Sequence, residues 1–350
     1  MALNRKPLVY FEFWLDPIAP KILGEQDDID LVRLDYKTPE KDNWAEMARA
    51  VGYNLHPRTE LKEPWFGNGD LLQRSPNMLA LCSTGAGYDY IDVDACTKAG
   101  VIVCNQSGTN HEPVAEHALA MILSLSKKIA LVNRAIQKSD NVDRMLYSGN
   151  DILGKTVGIV GLGKIGGRLS EICKVFSIKV LAYDPYLTAE QIAAKGATKV
   201  ELKELIVNSD FISIHCPRSK ETMGMFGAAE FAAMKPSAYF INTARGGIHK
   251  EADLVEALRS KRIQGAGIDV FDHEPPPSDH PLLQFDNVIA TPHVAGMTVE
   301  TCRNMCQASA EQWMALLRGR VPPRLVNPEV WPHYSERFEK IIGFRPDPLN

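Results

Sequence analysis

Residues 155–176, KTVGIVGLGKIGGRLSEICKVF, constrain the fold of this chain more than any other stretch. An apolar run, Val157 to Val160, stops at Gly161, and Gly163 and Gly166 complete the spacing G-x-G-x-x-G. A helical pattern follows, with Ile165, Leu169, Ile172, Cys173 and Phe176 on one face. Strand, glycine turn and helix in that order predict the phosphate-cradling part of a dinucleotide site. The first glycine permits the tight turn, the second lets backbone approach a pyrophosphate, and the third lets helix and strand pack closely. The pyrophosphate is expected over Gly161, Gly163 and the first helical residues Lys164, Ile165 and Gly166. There the unpaired N–H groups and the helix dipole favour an anion.

Strand patterns recur through this region at 157–160, 179–183, 211–215, 238–242, 263–268 and 287–290, with helical segments such as 201–208 and 250–260 between them. Apolar strands separated by helices imply a parallel sheet with helices on both faces. Before it, Leu8–Phe13, Ile29–Leu34, Leu79–Ser83 and Val101–Asn105 read as strands of a separate α/β domain, with a helix ending at Gly100. A long apolar helix is expected over Glu112–Ala135, buried on several sides as a core helix or at a subunit interface. At 350 residues the chain can hold two full cores. The expected boundaries are 1–108 with 300–335 for a discontinuous outer domain, 109–299 for the nucleotide domain, and 336–350 for a C-terminal tail.

A net charge of −4 gives no reason to expect nucleic acid or an anionic membrane as partner. No stretch resembles a signal peptide or a membrane span. Seven cysteines lie scattered without a C-x-x-C pair, and no metal site is expected. They read as reduced thiols of a cytoplasmic protein.

Eighteen residues past Gly166, the strand KVLAYD ends in Asp184. A carboxylate there can accept from both ribose hydroxyls while repelling a 2′-phosphate, which points to NAD rather than NADP. Three stretches at later strand ends carry the remaining chemistry: N242-T-A-R-G-G, D269-V-F-D-H-E-P and T291-P-H-V-A-G. Arg245 can grip a carboxylate with its planar fork, although arginine also occurs in surface ion pairs. His293 suits proton exchange near neutral pH. Glu274 could accept from its other ring nitrogen, fixing the tautomer and raising the pKa, with Asp272 as a competing partner. His215, at the end of FISIH, competes with His293 but reads better as lining the adenine side.

Taken together these residues resemble the D-specific 2-hydroxyacid dehydrogenases. The resemblance runs from about Leu79 to Asn327 through S83-T-G-A-G-Y-D, V114-A-E-H-A-L-A, G161-L-G-K-I-G, H215-C-P, N242-T-A-R-G, G267-I-D-V-F-D-H-E-P and T291-P-H-V-A-G. It implies an NAD-dependent oxidoreductase acting on a small 2-hydroxy or 2-keto acid, with a catalytic set of Arg245, Glu274 and His293. It places Asp269 near the nicotinamide amide and Cys216, Pro217, Thr222 and Thr243 along the cofactor. Backbone N–H groups around Thr84, Gly85 and Ala86 are expected to help hold the substrate carboxylate. The implied fold is α/β: two Rossmann-like, doubly wound parallel-sheet domains with the active site in the cleft between them, usually dimeric through the nucleotide domain. Arg58-Thr59 sits about where phosphoglycerate enzymes bind phosphate. Formate dehydrogenases share the fold but use a glutamine in the place of Glu274. The alternative on the same scaffold is an NAD(H)-sensing interaction protein of the C-terminal binding corepressor kind.

Overall fold

Apolar segments bounded by turn residues alternate with helices through the first hundred residues, and the computed structural model, which describes residues 5–56 and 60–349, forms them into a sheet. The expectation placed on Arg58 and Thr59 lies outside the described residues. The chain divides into two compact units, Met1–Asn110 with Thr298–Asn350, and His111–Met297.

In the first unit β1 (Lys6–Phe11), α1 (Ile18–Gly24), β2 (Ile29–Leu34), α2 (Glu40–Arg49), β3 (Gly52–Leu55), α3 (Gly69–Arg74), β4 (Ala80–Ser83), α4 (Val93–Ala99) and β5 (Ile102–Cys104) follow one another. The strands form one parallel sheet in the order β2-β1-β3-β4-β5. Every residue of β1, β3, β4 and β5 is buried, as in strands covered on both faces. β3, with the sequence GYNL, has no strand signature because Gly and Asn disfavour strands. Its tertiary surroundings require both: a Cβ on Gly52 would stand 2.5 Å from the Trp313 ring, and Asn54 Oδ1 accepts from Trp313 Nε1 and Ser309 Oγ. α4 ends as expected at Gly100, in the left-handed region with φ 72°.

The second unit contains α5 (His111–Ser126), α6 (Ile129–Lys138), β6 (Thr156–Val160), α7 (Lys164–Val175), β7 (Lys179–Tyr183), α8 (Ala189–Ala194), β8 (Thr198–Lys199), α9 (Leu202–Asn208), β9 (Phe211–Ile214), α10 (Ala228–Ala233), β10 (Tyr239–Asn242), α11 (Glu251–Arg259), β11 (Gly265–Ile268) and β12 (Val288–Ala290). Its parallel sheet runs β12-β11-β10-β9-β6-β7-β8. All six strands read from the sequence are present, and the two-residue edge strand β8 joins them. The chain proceeds outward from β6 through β7 to β8, then returns to β9 on the other side of β6. That reversal is the topological switch point at which open α/β sheets bind ligands, beyond the carboxyl ends of their strands.

The single helix expected over 112–135 is two helices. Lys128 adopts φ 55°, and the Ser126 carbonyl accepts from Asn150 N–H at 2.8 Å, so the α-helical ladder stops there. α5 buries Val114, Ala115, Ala118, Met121, Ile122 and Leu125 and packs on α7, β10, β11 and β12, whereas α6 buries no residue.

The chain then returns to the first unit with α12 (Val299–Leu317) and α13 (Trp331–Ile342). Cys306, Ala310, Trp313 and Leu316 from α12 share one core with Leu8, Tyr10 and Ile102, and α13 adds Trp331, Tyr334, Phe338 and Ile342. This corrects the expected tail at 336–350, because that boundary falls inside α13. The aromatic residues Trp331, Tyr334 and Phe338 form one helical face, with the charged Glu336, Glu339 and Lys340 exposed opposite them. Among the described residues no helix is long and apolar enough to cross a membrane.

Candidate active site

Apart from V114-A-E-H-A-L-A, which lies in α5, each stretch singled out in the second unit follows the carboxyl end of a strand. After β6, Gly161 takes φ 90°, and a Cβ there would stand 2.7 Å from the Cys216 backbone nitrogen. A Cβ on Gly166 would stand 2.2 Å from the Gly161 carbonyl oxygen, so the third glycine is required by close helix–strand approach. At Gly163 an added Cβ meets nothing within 4 Å, which leaves backbone open to a ligand. Gly163 is the N-cap of α7 and has no side chain to cap the N–H groups of Lys164, Ile165 and Gly166. Asp184, just past β7, holds this turn, because its Oδ2 accepts from Leu162 N–H at 2.9 Å and its Oδ1 from Tyr186 N–H at 3.0 Å.

After β10, the fully buried Asn242 shapes the turn that carries Arg245. Its Oδ1 accepts from Ala244 N–H at 2.9 Å, and its Nδ2 donates to the Arg245 carbonyl at 3.0 Å. The same Nδ2 lies 3.0 Å from His249 Nδ1, on a ring that burial keeps neutral with its pKa lowered to about 4. Gly246 lets this turn meet the one after β11, since a Cβ there would stand 2.0 Å from the Phe271 carbonyl oxygen. That close approach brings the Arg245 segment beside the Glu274 segment. The Arg245 charge contributes to lowering the Glu274 pKa.

After β12, His293 adopts φ 56°, a sparsely populated conformation for a non-glycine residue. Its Nδ1 lies 2.9 Å from Glu274 Oε2, while Glu274 Oε1 accepts from Phe271 N–H at 3.0 Å. Burial pushes the Glu274 carboxyl up, but the hydrogen bond and charge of His293, the Phe271 N–H and Arg245 together leave its pKa below the ordinary 4.5. Glu274 is therefore a carboxylate at neutral pH and only accepts, so Nδ1 donates and Nε2 is the ring nitrogen left for exchange. Asp272 does not partner His293. Its backbone N–H donates to Glu251, and its side chain is exposed.

Asp269 is wholly buried. Its Oδ1 accepts from Thr291 Oγ1 at 2.6 Å and Val294 N–H at 2.9 Å, and its Oδ2 from Ala295 N–H at 3.0 Å. This carboxylate thus builds the loop that presents His293, a role for which the sequence carries no signal. Asn242, Thr291 and His117 are likewise unassigned by sequence, although Asn242 and Thr291 stand inside stretches that carry Arg245 and His293. An asparagine at a strand end before a turn is the one signal that could have found Asn242.

The remaining expected residues lie in the loop after β9 and at the end of β10. His215 Nε2 is 2.8 Å from Ser213 Oγ, and burial lowers its pKa to about 4, which removes it as a donor of protons at neutral pH. Cys216 is pushed up to about 11 by burial and stays a thiol. The Thr222 hydroxyl donates to the Pro217 carbonyl at 2.6 Å and shapes that loop. Thr243 Oγ1 is buried with no partner among the described residues. An orphaned hydroxyl, the open backbone at Gly163, the uncapped α7 N–H groups and Asp184 beyond β7 together fit a dinucleotide.

In the first unit the loop after β4 carries Thr84, Gly85 and Ala86. The Thr84 N–H donates to the Leu55 carbonyl at 3.1 Å and the Gly85 N–H to Ser83 Oγ at 3.2 Å. The first of these bonds ties the loop to the end of β3, and the second lies within the loop. The loop is also tied down by Asn105 Nδ2 donating to the Ala86 carbonyl at 2.9 Å.

A family model described as D-isomer specific 2-hydroxyacid dehydrogenase, NAD binding domain, matches residues 119–295. The chain is 37% identical over 278 residues to D-3-phosphoglycerate dehydrogenase of Archaeoglobus fulgidus, an alignment covering 79% of this chain and 52% of that protein. It therefore spans about half the length of that relative. It is 35% identical over 266 residues to glyoxylate reductase of Korarchaeum cryptofilum, covering 75% of this chain and 80% of the relative. The crystal structure of D-lactate dehydrogenase from Aquifex aeolicus complexed with NAD and lactic acid superposes with a TM-score of 0.79 at 27% identity. That likeness covers 91% of this chain and 98% of the other.

Proposed function

The chain belongs to the D-isomer specific 2-hydroxyacid dehydrogenase family, and from that premise we propose that it interconverts a small 2-keto acid and its D-2-hydroxy acid with NAD(H). The observation that carries this reading is the His293–Glu274 pair at 2.9 Å, with the Arg245 charge acting on the same carboxylate. When bound, the cofactor supplies or accepts the hydride at carbon 2 of the substrate. Arg245 holds the substrate carboxylate and polarises the carbonyl oxygen by a charge-assisted fork. In reduction, His293 as imidazolium gives its Nε2 proton to that oxygen, and Glu274 stabilises the charge while it lasts. In oxidation, neutral Nε2 takes the hydroxyl proton. Gly161, Gly163, Lys164, Ile165 and Gly166 would hold the pyrophosphate, and Asp184 the adenosine ribose. Cys216, Pro217, Thr222, Thr243 and Asp269 would line the rest of the cofactor.

Turnover of a panel of 2-keto acids, including glyoxylate, pyruvate and hydroxypyruvate, with NADH and NADPH in parallel tests this. A strong preference for NADH with at least one small 2-keto acid is expected. No turnover with any member of the panel would overturn the proposal. Asp184→Asn removes the charge that repels a 2′-phosphate and keeps one acceptor for Leu162. Like-charge contact costs several kcal/mol, so the NADH-to-NADPH ratio of kcat/KM should fall by about tenfold or more.

A homodimer through the 111–297 unit fits the exposed apolar side chains around α6. Ile129 is 57% and Ile136 58% exposed, and Met145 and Leu146 stand out further along the chain. Sedimentation equilibrium should return twice the 38.8 kDa chain mass. A single-chain mass at micromolar concentration would rule the dimer out. The seven free cysteines support a cytoplasmic location.

A further inference from the structure

We propose that His117 and Thr291 are positioning residues that hold Asp269, and through it the loop 293–295, in the arrangement that presents His293. The proposal rests on the assignment of His293 as the proton-exchanging residue.

The hydrogen-bond directions follow from the donor inventory. Asp269 Oδ1 lies 2.6 Å from Thr291 Oγ1, and a carboxylate only accepts, so the hydroxyl proton of Thr291 is directed at Asp269. Thr291 Oγ1 must then accept at its second contact, 3.1 Å from His117 Nε2. His117 therefore carries its proton on Nε2, in either charge state. The resulting chain runs one way, from His117 through Thr291 to Asp269, and ends where Asp269 accepts from the Val294 and Ala295 N–H groups. The His293 N–H closes the loop on the Asp269 carbonyl at 2.7 Å and the Thr291 carbonyl at 3.1 Å.

Two physical demands explain why such a chain is needed. Backbone at φ 56° outside glycine persists only where its surroundings over-determine it, and these bonds surround His293 on both sides. Asp269 is wholly buried, and a buried carboxylate is costly unless its lone pairs are occupied. Three donors reach it directly, and the His117 ring lies 3.9 Å from its Oδ1. His117 is delivered by α5, which packs on β11 and β12 and is thereby fixed relative to both ends of the chain of bonds.

The test pairs amide hydrogen exchange of the cofactor-free protein with steady-state kinetics. Thr291→Val keeps the shape and removes the hydroxyl, and His117→Phe removes the donor. Exchange at Val294 and Ala295 should accelerate about tenfold or more in both variants. kcat should fall by about tenfold with KM changed less than threefold, and Thr291→Ser and His117→Gln, which restore a hydroxyl and an N–H donor, should recover both readouts. A general packing role would raise exchange across the unit and would not be rescued by the Ser and Gln variants. Unchanged exchange at 294–295, or unchanged kcat in an active enzyme, overturns the proposal. His117→Phe alters a partly exposed ring and remains decisive if Thr291→Val does not fold. The exchange readout needs no turnover, so failure of the dehydrogenase reading itself, seen as no activity in the unaltered protein, is distinguishable.

Discussion

Replacing His293 by Asn is expected to lower kcat by about a hundred- to ten-thousandfold, the usual contribution of a positioned general acid–base. Asn is the appropriate replacement because it tolerates the left-handed backbone at φ 56°, whereas Ala would add strain to the loss of the imidazole. The loop bonds to Asp269 come from backbone N–H groups of residues 293–295 and do not involve the ring, so folding and NADH affinity should be retained. Glu274, with its pKa held below 4.5, keeps its charge throughout the neutral range and lends its contribution until pH falls through that lowered value. Glu274→Gln removes the anion 2.9 Å from the His293 ring, so the imidazolium formed in the reaction loses its counter-charge and kcat should fall. A loss of less than tenfold in His293→Asn, measured with saturating NADH, would remove the assigned role.

Arg245→Ala should lower kcat/KM by truncating one partner of a charge-assisted contact. That truncation costs about 2–5 kcal/mol, which is roughly 30- to 4,000-fold at about 1.4 kcal/mol per decade. Arg245→Lys keeps the charge but not the fork and should recover only part of this. The turn itself is built by Asn242 on the backbone of residues 244 and 245, so the altered side chain leaves it standing. NADH affinity, followed by quenching of its fluorescence, should change less than threefold in both variants. A parallel loss of NADH affinity would move Arg245 from the substrate to the cofactor, and unchanged kcat/KM would take it out of the site.

Much of this site is legible in the chain because it is local. Gly161, Gly163 and Gly166 act within six residues of one another, and Gly100 ends a helix by its own φ. Strand ends at Asp184, Asn242 and His293 follow from apolar runs that stop. Less legible are features that depend on which element comes alongside. β3 is a strand because Trp313 and Ser309, some 255 residues away in sequence, complete it through Asn54. α13 is core because its aromatic face finds Leu8 and Trp313.

The sequence by itself determined the dinucleotide turn, the preference expected from Asp184 and the candidates Arg245, Glu274 and His293, since each depends on residue type and short-range spacing. Only the tertiary structure decided between Glu274 and Asp272. Sheet order sets the turn after β11 beside the turn after β12, and one carboxylate of the two reaches the imidazole. It also made Asp269 a buried anchor, Gly246 a point of backbone contact with Phe271, and His117 a donor to Thr291. The physical reason is common to all: a hydrogen bond between residues 19 to 174 positions apart is fixed by strand order and helix packing, and no local pattern encodes either.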